Sequence, residues 1–339
     1  MSTTGAPPSP ELFLDTINAY QRTAALKAAI ELDIFTALAD GPATAATVAE
    51  RAHASGRGTR ILLDYLTVLG FLTKSGDTYQ LTPNSALFLS RLSPAYLGGT
   101  VQFLASPGLV NNFNELTETI RRGKRDESKS TVSAENPVWI DFARAMVPVM
   151  APAATGIADA LNVAAEQELK VLDIAAGHGM FGVTVAAKNP RAEIYAVDWP
   201  GVLQVARENA IRAGVESRLH EIPGDAFAVD YGTGYHLALV TNFLHHFDVP
   251  TNVRLLRKIH DALAPGGRIA VLEFVPNDDR VSPPGPATFA MVMLGSTPAG
   301  DAYTFNDLRE MLEAAGVSDV AQTPLPNSVQ TLVSALKSS

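Results

Sequence analysis

The chain has 339 residues, 47% hydrophobic and 18% charged, with 25 Gly, 22 Pro, no Cys and a formal charge of −9. At about 100–200 residues per domain this length suits two domains, and the composition excludes a disordered chain, disulfides, thiol nucleophiles and cysteine-held metals. The acidic balance argues against nucleic-acid binding, and no run of about 18 apolar residues or basic, apolar leader is seen, so the expectation is a cytoplasmic protein that meets no membrane.

Residues 1–10, MSTTGAPPSP, read as unstructured, with order beginning near Glu11. From Leu12 to Leu38, apolar residues recur at near-helical spacing, as in core or interface helices. Helices at Ala43–Arg51 and Arg57–Leu69 follow, then two strand-like runs around Ser75-Gly76-Asp77, an order that predicts helix-turn-helix plus wing. Seven basic residues against eight acidic ones through Thr100 make no basic stripe, so packing or dimerisation is favoured over DNA. The polar segment from Arg121 to Pro137 reads as a solvated loop, and Val138 to Leu161 as a helical stretch leading into a second domain. Domains are expected at 11–100, 101–165 (a helical linker) and 166–339.

Beyond residue 166, strand-like and helix-like segments alternate: KVLDIA, a helix from Phe181, AEIYAVD, VARENAIRAG, RLHEIPGD, LALVTNFL, VRLLRKIHDAL and RIAVLEFV. This is the pattern of a doubly wound parallel α/β sheet. After the amphipathic TFNDLREMLEAAGV, the strands SDVAQTPLP and SVQTLVSAL have no crossover helix between them and should pair antiparallel.

Ligands of such sheets sit beyond the carboxyl ends of the strands, where small residues let them approach backbone N–H groups. The turn after Val171–Ile174 qualifies. Its run Gly177-His178-Gly179-Met180-Phe181-Gly182 also matches the dinucleotide fingerprint, which keeps a nicotinamide-dependent dehydrogenase open at this point. Asp173 inside the strand and small residues from Ala175 give instead acid-x-small-x-Gly-x-Gly, which resembles the first motif of class I S-adenosylmethionine-dependent methyltransferases. Asp198, at the end of the second strand, and Gly224-Asp225-Ala226-Phe227, after the third, fit the same family. Asp198 can accept from ribose hydroxyls and Asp225 from an adenine amino group, between apolar walls of Trp199, Ala226 and Phe227. Asp173, Ala175, Gly177, Gly179, Thr241 and Asn242 complete the expected cofactor set.

The run Asn242-Phe243-Leu244-His245-His246-Phe247-Asp248 closes the fourth strand. With it, residues 10–338 resemble the caffeate- and hydroxyindole-type O-methyltransferases. This resemblance implies a winged-helix dimerisation domain, a Rossmann-like seven-stranded domain, S-adenosyl-L-methionine as cofactor, a homodimer and a small hydroxylated aromatic acceptor. The family's LHDW segment falls on Leu244 to Phe247, which makes His245 the general base, and Glu273 matches a glutamate that holds it. A phenol of pKa about 10 facing an imidazole of about 6.5 makes full proton transfer uphill by roughly 5 kcal/mol, so proton removal should accompany methyl transfer. Phe142, Met146, Phe289 and Met293 are the acceptor-pocket candidates, with Met146 open to a core reading. No metal is expected.

Three departures stand out. Ala175 and Ala176 replace glycines, His246 replaces an acid and is expected to point toward a helix or the surface, and Ala302 replaces a second glutamate, beside Tyr303 as a potential substitute. N- or C-methylation, a non-methylating relative and a winged-helix ligand-sensing regulator remain the alternatives.

Overall fold

The computed structural model describes residues 7–126, 137–163 and 168–338. Residues 1–6 of the unstructured start expected over 1–10, and 127–136 of the polar loop expected from Arg121 to Pro137, lie outside the described residues, while Arg121 and Arg122 close a helix, Leu116–Arg122. Two compact units divide at Ser106 and Pro107.

The first unit is mostly helical. Helices Glu11–Ile17, Ala19–Glu31, Ile34–Ala37, Ala45–Arg51 and Gly56–Val68 precede a hairpin of β2 (Leu72–Ser75) and β3 (Thr78–Leu81), with β1 (Ala43–Thr44) on the other edge of β3. The helix expected from Ala43 begins instead at Ala45, because Ala43 and Thr44 pair with Tyr79 and Thr78. Thr44 then caps that helix, its hydroxyl accepting from Thr47 N at 3.3 Å. Ile34, Phe35, Leu63, Leu66, Leu72 and Tyr79 fill the core. Leu12, Phe13, Leu14, Ile17 and Tyr20, by contrast, are exposed on this chain.

The second unit is built on a seven-stranded sheet of order β6-β5-β4-β7-β8-β10-β9. Its strands are β4 (Leu169–Ile174), β5 (Ala192–Asp198), β6 (Leu219–Pro223), β7 (Tyr235–Thr241), β8 (Leu263–Glu273), β9 (Val317–Pro324) and β10 (Thr331–Lys337). The first five pair in parallel, and β10 is antiparallel to both β8 and β9, as the missing crossover helix predicted. Leu172, Ile174, Leu239, Val240, Ala270 and Val271 are fully buried, as central parallel strands require. The chain runs outward from β4 to β5 and β6, then returns to the other side of β4 as β7, so the sheet's switch point lies between β4 and β7. Among the described residues no helix is long and apolar enough to cross a membrane.

Candidate active site

At that switch point the chain leaves β4 through a turn in which Ala175, Gly177 and Gly179 all take left-handed backbone angles, φ +51, +57 and +70. Glycine adopts these freely; for Ala175 the same angle carries strain of roughly 1 kcal/mol. Helix Met180–Lys188 then packs on the sheet so closely that a Cβ on Gly182 would lie 2.6 Å from Ile194 and 2.8 Å from Asp173 Oδ2.

Beyond the turn opens a cavity of about 380 Å³, within the range of small-molecule sites. Its wall includes Ala175, Gly177, Asp198, Trp199, Asp225, Ala226, Phe227, Thr241, Asn242 and Phe142, all anticipated from the sequence. Asp198 is held in place by accepting from Gly177 N at 2.8 Å through Oδ2 and from Trp199 N at 2.7 Å through Oδ1. Burial pushes its carboxyl up to about 6. Asp225 accepts from Phe227 N at 2.9 Å, and Phe227 meets Phe247 edge-on at 5.0 Å. Asn242, at φ +55, is oriented by Gln330, which donates to its Oδ1, while its own amide nitrogen faces Met150 Sδ at 3.8 Å.

Two expected cofactor residues do not reach the wall. Asp173 is fully buried beneath the turn, where Oδ2 accepts from Gly182 N at 3.2 Å and Oδ1 has no partner among the described residues. Burial, helped by the nearby Asp198 charge, raises its carboxyl to about 7. Gly179 faces helix Pro200–Arg212 instead, where a Cβ would meet Ala206 at 2.7 Å.

After β7 the chain tightens into a 3-10 turn, Leu244–His246, which sends adjacent imidazoles to different neighbours. His245, 5% exposed, places Nδ1 2.5 Å from Glu273 Oε2, while Glu273 Oε1 accepts from Phe243 N at 3.0 Å and His245 N at 3.3 Å. A carboxylate can only accept, so Nδ1 carries the proton and Nε2 keeps its lone pair. His246 joins the cavity wall and lies edge-on to Trp139 at 5.3 Å. It therefore does face a helix, Val138–Ala160, but across the cavity and not away from it. Burial first, then the neighbouring His245, holds its imidazole neutral well below the usual histidine range.

Of the acceptor candidates, Phe289 lies edge-on to His245 at 4.9 Å and stacks on Phe274 at 4.0 Å, while Met146 and Met293 are buried. These three lie off the cavity wall, whereas Phe142 is on it and meets Trp139 edge-on at 5.7 Å. Tyr303 does not take the missing glutamate's place: its hydroxyl donates to the Phe247 carbonyl. Residues 300–301 brace the histidine from behind, with Asp301 N donating to the His245 carbonyl at 3.0 Å and Gly300 so close that a Cβ would sit 2.1 Å from the same oxygen.

Sequence reasoning missed Trp139, His178, Phe243, His246 and Phe247 as wall residues. The aromatic density of 243–247 was the available signal; the turn that aims each ring was not.

Residues 14–91 match the O-methyltransferase dimerisation domain and residues 148–318 the O-methyltransferase domain. The chain belongs to the O-methyltransferase family. This O-methyltransferase is 29% identical over 326 residues to 3-hydroxy-5-methyl-1-naphthoate 3-O-methyltransferase of Streptomyces sahachiroi, covering 94% of this chain and 93% of that protein. It is 30% identical over 277 residues to the N,N-dimethyltransferase OxyT of Streptomyces rimosus, 77% of each chain. A solved Nostoc punctiforme protein assigned to the O-methyltransferases shares 49% identity, with a TM-score of 0.94 over 98% of this chain and all of that one.

Solved structures of this fold, 19–24% identical to this chain, include complexes with S-adenosylmethionine and S-adenosylhomocysteine. The residues present fit a cationic nucleoside. Among the described residues the wall offers two carboxylates, Asp198 and Asp225, aromatic faces at Trp199 and Phe227, and no Lys or Arg.

Proposed function

We propose that this O-methyltransferase methylates a hydroxyl of a small aromatic molecule, with His245 as general base and Glu273 as the group that positions it. The observation that carries this reading is the buried 2.5 Å contact between His245 Nδ1 and Glu273, which leaves Nε2 as an acceptor without a partner among the described residues. When bound, S-adenosylmethionine supplies a methyl group already activated by its positive sulfur, so the protein has to align an oxygen and take its proton. Asp198 holds the ribose hydroxyls, and Asp225, Ala226 and Phe227 the adenine. Trp199, Ala175, Gly177, Thr241 and Asn242 shape the rest of that site, with Asp173 and Gly179 acting beneath it to set the turn.

As the acceptor oxygen attacks, its proton passes to His245 Nε2, and the ionised Glu273 stabilises the imidazolium that results. Phe142, on the wall, and Phe289, against His245, supply flat apolar surfaces suited to an aromatic acceptor. Met146 and Met293 support these surfaces from the core. The naphthoate methyltransferase relative points to the same acceptor class.

The exposed apolar side chains of Leu12, Phe13, Leu14, Ile17 and Tyr20 lie in or beside the region that matches the dimerisation domain, and they support a homodimer formed through the first unit. A cytoplasmic location, with neither nucleic acid nor membrane as partner, and a division at 11–100, 101–165 and 166–339 complete the reading.

The test is a panel of hydroxylated aromatics with methyl-labelled S-adenosylmethionine, run with wild type and His245→Ala. Label on oxygen, lost in the variant while S-adenosylhomocysteine still binds, is the expected result; full activity in the variant overturns the general-base role. The N,N-dimethyltransferase relative makes aromatic amines the second set in the panel, and label on nitrogen alone would replace the hydroxyl reading.

A further inference from the structure

His178 occupies the cavity wall at the glycine turn, and the proposed cofactor orientation gives it no task. Its position is fixed from three sides. The ring nitrogen Nδ1 accepts from Met180 N at 3.1 Å, the first N–H of helix Met180–Lys188. The ring tilts against Phe181 with centroids 5.7 Å apart, and the backbone carbonyl accepts from Asn209 Nδ2 at 2.8 Å. The residue is only 3% exposed.

These contacts decide the ring's chemistry. Because Nδ1 accepts a backbone proton, the neutral imidazole carries its own proton on Nε2. Burial keeps it neutral by lowering its pKa to about 4. Nε2–H thus has no hydrogen-bond partner among the described residues, on a side chain that lines a ligand cavity. A ligand acceptor in the cavity can take that proton, and the nine-residue helix starting beside the ring adds partial positive charge at the same place.

Strand order says which part of the cofactor comes here. The adenine residues Asp225 to Phe227 follow β6, the ribose acid Asp198 ends β5, and His178 follows β4, in the spatial order β6-β5-β4. A nucleoside laid along that order directs the amino-acid tail of the cofactor toward His178. A donor cannot serve an ammonium group; it can serve a carboxylate.

We propose that His178 Nε2–H donates to the carboxylate of the cofactor's amino-acid tail, making it a cofactor-binding residue that selects an amino-acid-bearing nucleoside over a truncated one. The inference rests on the cofactor orientation given above.

Titration calorimetry of the full chain tests it with three ligands: S-adenosylhomocysteine, its decarboxylated analogue, which keeps the amine, and 5′-methylthioadenosine, which lacks both groups. The informative variant is His178→Asn, whose short amide can still accept from Met180 N and preserve the turn but does not extend as far as imidazole Nε2. A hydrogen bond to a charged group predicts that the variant binds S-adenosylhomocysteine about 10- to 100-fold more weakly, with both truncated ligands within about threefold of wild type. Equal weakening for all three ligands assigns His178 a structural role and overturns the proposal, as does unchanged affinity for S-adenosylhomocysteine. Failure of wild type to bind any of the three overturns the cofactor site itself, a separate result.

Discussion

Replacing Glu273 by Gln changes one atom and tests the whole arrangement around His245. Glu273 Oε1 accepts from two backbone donors, Phe243 N at 3.0 Å and His245 N at 3.3 Å, and Oε2 faces Nδ1 at 2.5 Å. In the variant the amide can lie two ways round. With its NH₂ toward the two backbone donors, both lose their acceptor in a buried place, at a cost of about 1–3 kcal/mol each. That cost of about 2–6 kcal/mol exceeds the loss of any single contact on the other side, so the amide oxygen stays with the backbone and the NH₂ turns to the ring. Nδ1 must then accept, and the imidazole proton moves to Nε2, where the acceptor hydroxyl needs a lone pair. Loss of a positioned base predicts a fall in kcat of about 10²–10⁴. The shape of the nucleoside site is untouched, so S-adenosylhomocysteine affinity should stay within about threefold of wild type, less than 1 kcal/mol. Single-turnover transfer from labelled S-adenosylmethionine, paired with calorimetry, reads both quantities. A variant that binds normally and keeps kcat within about threefold would refute the claim that Glu273 sets the proton position.

Asp173→Asn should stabilise the protein at alkaline pH. A buried carboxyl raised from 3.8 to about 7 is at its most favourable below about pH 4 and loses stability as pH climbs through 7. Three pKa units are worth about 4 kcal/mol, and an unpaired amide takes back about 1–3, so thermal melts should show a net gain of about 1–3 kcal/mol at pH 8 that vanishes at pH 4; a loss at pH 8 would contradict this. Gly300→Ala forces a Cβ to within 2.1 Å of the His245 carbonyl unless the loop moves. It should cost about 1–3 kcal/mol of stability and, by shifting the histidine, about 10²-fold in kcat with cofactor affinity kept, as measured by melts, kinetics and calorimetry. Tyr303→Phe removes a hydroxyl that touches the Phe247 carbonyl and not the imidazole, so melting should report a loss of about 1 kcal/mol and assays a kcat within a few-fold. A hundredfold fall in that assay would make Tyr303 a stand-in for the glutamate absent at Ala302.

The sheet was readable because central parallel strands are near-continuous apolar runs, and KVLDIA, LALV and RIAVLEFV are so apart from Lys170, Asp173, Arg268 and Glu273. The absence of a helix between the last two strands fixed their antiparallel pairing for the same kind of reason: a parallel neighbour needs a crossover. Asp198 and Asp225 were picked out because Asp198 ends β5 and Asp225 stands two residues beyond β6, which puts both at the carboxyl edge of the sheet, and both reach the wall. Helical positions were harder. Helix Pro284–Ser296 is apolar on every side, with Phe289, Met291, Val292, Met293 and Leu294 in six positions, so no periodicity marks the side that meets His245. Helix Val138–Ala160 raises the same problem, and its Phe142 reaches the wall where Met146 does not.

The histidines show where strand logic stops. Alternation along β7 ends at Thr241, and the left-handed residue Asn242 and the 3-10 turn after it re-aim the next side chains. His245 turns to Glu273, His246 to Trp139, and neither direction follows from a period of two. The electrostatics have the same tertiary origin. Asp173 and Asp198 are both pushed up by burial, and two imidazoles on the wall are held neutral by it. A cavity wall that keeps the Asp198 carboxylate poorly solvated and His178 and His246 uncharged has unfavourable negative charge to offset. A bound cation offsets it, whereas a neutral ligand of the same shape does not. The burial that costs the free protein stability therefore favours a positively charged methyl donor, and it arises from the packing of β4, β5 and helix Val138–Ala160, far apart in sequence.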